Sequence, residues 1–72
     1  AAEEKPKMYY EKALELIGEN EKLARQREVS AQYLMLYHFK TNNDEECMKY
    51  LEIVLIANPS NRVANQIMEV LM

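Results

Sequence analysis

The segment Glu3 to Asn20 returns 41 positions later as Asp44 to Asn61, and this near-duplication constrains the fold more than any single residue. Laid over each other, the two windows pair Glu4 with Glu45, Tyr9 with Tyr50, Glu11 with Glu52, Leu14 with Leu55 and Asn20 with Asn61, five identities in eighteen positions. Tyr10 over Leu51 and Ala13 over Val54 keep their apolar character. The matches fall at helical spacing and both windows finish on Asn. A period of this size marks a helical solenoid, whose units bury their apolar faces against their neighbours.

A chain of 72 residues makes a single domain, and one that hides only about 60% of its unfolded surface. Nearly half of it, 49%, is apolar, with one Gly and two Pro, which suits a compact all-α domain and argues against disorder or a turn-rich β-protein. The formal charge is −3 and the Lys and Arg residues are scattered, so no basic stripe exists to neutralise phosphates. No nucleic acid partner is expected. The longest aliphatic run, Ile53 to Ala57, is far shorter than the roughly 20 residues that cross a bilayer, and the acidic start lacks the basic region of a signal peptide. A soluble segment without membrane insertion is therefore expected. Cys47 is the only cysteine, which excludes an internal disulfide and leaves the redox compartment open.

Periodicity predicts about four helices. The first opens near Pro6, whose fixed φ suits an initial helical position, and stops at Gly18. Within it Tyr10, Ala13, Leu14 and Ile17 form one apolar stripe, with Lys7, Glu11, Lys12 and Glu15 on the solvated face. The second starts at Asn20 or Glu21 and runs to about Lys40, charged as far as Glu28 and apolar on nearly every side from Ala31 to Phe39. A helix like that is covered on more than one flank. Asn43 followed by Glu46 has capping-box spacing for a third helix, with Asp44 and Glu45 well placed against its dipole. Pro59 ends that helix by Asn58. A last helix, capped by Ser60 or Asn61, carries Val63, Ile67, Val70 and Leu71 on one side and reads as a terminal cap.

The stretch Ala31 to Pro59 resembles one tetratricopeptide repeat. Ala31, Leu34, Met35, His38, Cys47, Leu51, Val54 and Pro59 keep the spacing of that motif, although only Leu34 and Pro59 are literal matches. The Tyr-rich first helix and the run YLEIVLIANPSN are also similar to the last repeat of many bacterial cell-envelope proteins of this family. The resemblance implies antiparallel helical hairpins of a tetratricopeptide-like superhelix. It assigns residues 5–18 to the second helix of a preceding repeat, 21–58 to one full repeat and 61–71 to a C-terminal capping helix. It further implies a piece excised from a longer array, and a cell-envelope or periplasmic setting. The family period is 34 residues rather than 41. Seven extra residues are about two helical turns, so an insertion around Glu21 to Arg27 lengthens the second helix without rotating its apolar face.

His38 and Cys47 are the one pair that could supply a base and a thiol nucleophile. In the repeat both face the inside of the hairpin, where free Cys behaves as a small hydrophobe. Asp44, Glu45 and Glu46 are adjacent, so as helical residues they point about 100° apart and do not converge on a metal. No Gly-rich phosphate loop exists with a single Gly. Neither enzyme activity nor a cofactor is expected.

Tyr33 and Tyr37 are expected to pack on a neighbouring helix. The resemblance places Val29, Gln32, Leu36, Phe39 and Lys40 along the concave groove with which such repeats hold peptides. Leu36 stands where carboxylate-clamping members typically carry Asn, so apolar and aromatic contacts with a protein or peptide partner are implied instead. The alternative expectation is a purely structural segment that stacks within a larger protein or forms a homodimer.

Overall fold

The computed structural model describes residues 4–18 and 20–72. Four α-helices follow one another: α1 (Glu4–Ile17), α2 (Ala24–Lys40), α3 (Asp44–Ala57) and α4 (Arg62–Leu71), with a 3-10 turn at Glu21–Leu23 leading into α2. No strand occurs among the described residues, and the fold is all-α. Pro6 sits in the first turn of α1, where its missing N–H costs no intrahelical bond. Gly18 terminates that helix in the left-handed region at φ 56°, its N–H donating to the Leu14 carbonyl.

The charged stretch after Gly18 corrects the expected helix. Leu23 takes φ −108° and ψ 22°, so the chain enters through the 3-10 turn and the regular helix has 17 residues. Arg27 Nη1 donates to the Gly18 carbonyl at 3.2 Å and ties α2 back to the end of α1.

Helix α2 ends in a Schellman motif. Asn42 adopts φ 60°, Asn42 N–H donates to the Phe39 carbonyl, and Asn43 N–H donates to the His38 carbonyl at 2.9 Å. Asn43 then caps α3 by accepting the Glu46 N–H on Oδ1. The two-turn reversal leaves α2 and α3 antiparallel and in extensive contact.

Their seam is the core. Leu34, Met35, Cys47, Leu51 and Val54 are fully buried there, and each large aliphatic group hidden contributes about 1.5–3 kcal/mol. His38 is buried beside them and stacks on Tyr50, ring centroids 5.6 Å apart and planes 3° from parallel. On the opposite flank of α2, Tyr33 packs on Tyr10 of α1 at 4.4 Å and Lys7 lies over the Tyr37 ring. Helix α4 closes the other end with Ile67 of the predicted stripe and with Ala64; Val63 and Leu71 are half-buried against the core, and only Val70 of that stripe is turned out, 68% exposed.

Candidate functional site

Side chains of α2 point in three useful directions, because successive helical residues turn by about 100°. Ala31, Leu34, Met35 and His38 face α3, and Tyr33 and Tyr37 face α1. On the remaining stripe Val29 and Lys40 are exposed and Leu36 is half-buried against the core. Val29 is 53% exposed.

This stripe forms the floor of a shallow groove in three connected stretches. Tyr9, Tyr10, Ala13 and Ile17 of α1 face Gln26 and Val29 in the first. Tyr10, Val29, Gln32, Tyr33 and Leu36 line the second. Tyr33, Leu36, Tyr37, Lys40 and Thr41 line the third. Shared residues join each stretch to the next, so the groove follows α2 for most of its length. Its lining is mainly aromatic and aliphatic, with Gln26, Ser30, Gln32 and Thr41 among these groups, and among the described residues the one charged group lining it is Lys40 at the far end.

The five residues expected on the groove do not all lie there. Val29, Gln32, Leu36 and Lys40 line it. Phe39 lines none of the three stretches and is half-buried against the hydrophobic core. Gln32 is at the edge and already engaged, its Oε1 accepting a bond of 2.8 Å from Asn61 Nδ2. Tyr9, Tyr10 and Ala13 complete the groove from α1, and sequence reasoning did not include them. Their equivalence to Tyr50, Leu51 and Val54 was the available signal.

A second polar feature was not foreseen. Asn61 is buried, accepts the Ala64 N–H on Oδ1 as the cap of α4, and donates from Nδ2 to both Gln32 and Glu28 Oε2. Asn58 Nδ2 donates to the same Glu28 oxygen at 2.9 Å. These bonds latch the α3–α4 turn to α2 across about 30 residues of sequence. Glu28, placed by its sequence neighbours among solvated charges, is the acceptor that holds the turn.

The chemistry-bearing candidates sit inside the seam. Cys47 has no exposed surface, and burial, helped by the Asp44 carboxylate, pushes its thiol above the ordinary value. Burial pushes the His38 imidazole down, partly opposed by Glu46 and Glu11, and its Nε2 finds no partner. A raised thiol pKa lowers the thiolate fraction, the opposite of what a nucleophile needs. Among the described residues no group of three His, Cys, Asp or Glu side chains is placed to hold a metal ion, and no helix is long and apolar enough to cross a membrane. No family model, curated protein or solved structure matches the chain.

Proposed function

We propose that the chain is a protein-interaction module of tetratricopeptide-like construction, whose open groove along α2 receives a peptide or protein partner through apolar and aromatic contacts. The observation that carries this reading is the connected, nearly uncharged lining from Tyr9 to Lys40 on a chain that is 29% charged as a whole. Desolvating such a surface is favourable, and aromatic side chains supply large contact areas at low entropy cost. Selection of binders from a random peptide library tests it. Selected peptides are expected to shift the amide signals of Val29, Leu36 and Lys40 and to lose binding to the Val29→Asp variant, a safe substitution at an exposed site. Binders that map elsewhere, or a library that yields none, overturn the reading.

A structural role in stacking or self-association has its own support. Met8 and Leu16 leave large apolar groups of α1 outside the groove, each more than 60% exposed. A concentration-dependent dimer in light scattering, abolished by Met8→Glu or Leu16→Glu but not by Val29→Asp, distinguishes it from the groove reading.

A further inference from the structure

The internal duplication specifies what fits the groove. In the second window Cys47, Tyr50, Leu51 and Val54 form the face of α3 that α2 covers. Their counterparts 41 positions earlier are Pro6, Tyr9, Tyr10 and Ala13. Of these, Tyr9, Tyr10 and Ala13 line the open groove, and Tyr9 is 68% exposed where Tyr50 is 7% exposed. One face of the repeated unit is therefore covered by a helix, while its duplicate is open at Tyr9 and only half-buried at Tyr10 and Ala13.

We infer that the groove between α1 and α2 is the seat of an amphipathic α-helix whose apolar stripe follows that of α2: a small residue, then a Leu-Met pair and a flat ring at the spacing of Ala31, Leu34, Met35 and His38. The inference names the partner for the groove already proposed and rests on that reading. Orientation follows from the same relation. Helix α2 runs antiparallel to α3, as the His38–Tyr50 stack and the Glu28–Asn58 bond at opposite ends show. The duplicate of that arrangement sets the guest antiparallel to α1 and so parallel to α2, since Tyr10 meets Tyr33 while Lys7 meets Tyr37. The guest's C-terminal turn then lies beside Lys40. Charge complementarity selects the rest of its chemistry: an uncharged stripe facing the lining, and an acidic side chain in the last turn, where its own carbonyls are already attractive to the ammonium.

The probe is this chain's own second helix. A capped synthetic peptide with the sequence of residues 24–40 and glutamate in place of Lys40 is titrated into the labelled full chain, with a scrambled peptide as control. Shifts confined to Tyr9, Tyr10, Ala13, Val29 and Leu36 are expected, with weak affinity because a free helix of this length is marginal. Tyr9→Glu is expected to weaken binding about tenfold or more, as a charge on an apolar contact does. Met8→Glu, equally exposed but not a lining residue, is expected to leave it unchanged. The peptide that keeps Lys at its end is expected to bind about threefold more weakly.

Equal loss in both variants, or shifts produced by the scrambled peptide, overturns the inference. If the helical peptide does not bind while extended library peptides shift Val29 and Leu36, the inference falls and the groove reading stands. If neither binds, both fall. A chain that dimerises through Tyr9 makes a second copy the occupant and also overturns it.

Discussion

The two windows of the duplication share an amino-acid pattern and differ in what surrounds it. Helices α1 and α3 are each 14 residues long and each leads to an Asn that caps the next helix. Yet Tyr50 is sandwiched in the seam on His38, whereas Tyr9 meets only the edge of Tyr10, with planes 84° apart. Asn61 is buried and binds across the fold, whereas Asn20 is exposed and accepts only from Lys22 N–H two residues away. The lesson is that a local pattern sets the helix and its cap, while burial is decided by the neighbour. In a stacked architecture the neighbour lies one element away in the chain.

The sharpest way to break the comparison is to make one substitution twice. Tyr50→Ala removes a buried ring from the seam, at a cost of about 3–5 kcal/mol, enough to unfold a domain of this size. Tyr9→Ala is expected to change stability by about 0.5 kcal/mol or less, because the ring is largely solvated already. Urea denaturation followed by circular dichroism measures both. Similar costs for the two would mean that the windows are equivalent in solution and that the Tyr9 face is covered.

The two asparagines give the next largest contrast. Asn61→Ala loses the cap of α4 and withdraws the donor shared by Glu28 and Gln32, together about 2 kcal/mol. Asn20→Ala loses one exposed local bond, worth about 0.5 kcal/mol. A Glu28→Gln variant sharpens the point. If Asn61 acts chiefly through Glu28, a double-mutant cycle between them shows coupling, and the corresponding cycle with Asn20 does not.

Much of the fold was legible in sequence because it is written in short-range signals. Gly18, Asn43 with Glu46, and Pro59 each mark a helix end through backbone preferences acting over a few residues, and the structure places the ends there. The seam was legible too, since Leu34, His38, Cys47, Leu51 and Val54 sit at helical spacing on facing sides. What escaped depends on longer reach. The Glu28–Asn61 latch joins residues 33 apart that no periodicity relates. The 3-10 entry at Glu21–Leu23 hides in a stretch whose composition suits an α-helix equally well. The groove was half legible: the resemblance to a tetratricopeptide repeat implied Val29, Gln32, Leu36 and Lys40 along it, but it also included Phe39, which lines none of its stretches, and could not bring in Tyr9 and Ala13 from another helix.

At the window ends the comparison sets Gly18 against Pro59, two ways of stopping a helix at equivalent positions. Gly18 holds φ 56°, and a Cβ added there would meet nothing within 4 Å. Gly18→Ala therefore costs only the left-handed backbone penalty, about 1 kcal/mol. Thermal denaturation of Gly18→Ala beside Gly18→Asn, which tolerates that region better, separates backbone strain from packing. Equal losses would point to packing and contradict the open space around the residue.

The smallest expected effect is a titration that touches one window and spares the other. Burial holds the His38 imidazole below its usual value, against the pull of Glu46 and Glu11 and with help from Lys7 and Lys49. The folded state thus binds the proton less readily than the unfolded chain, whose imidazole titrates near 6.5. Above that pH the two states are equally unprotonated and stability is full. As pH falls below it the unfolded state takes up the proton first, and stability declines until the folded pKa is passed. The loss is small because one group carries it and neighbouring carboxylates offset part of the burial. His38→Phe abolishes the slope, keeps a ring against Tyr50 and removes the unpartnered Nε2. Ring signals of Tyr50 are expected to follow the His38 titration, while those of Tyr9 stay flat. Tyr9 moving in step with Tyr50 would show the two windows coupled through α2, and the contrast between a covered and an open face would fail.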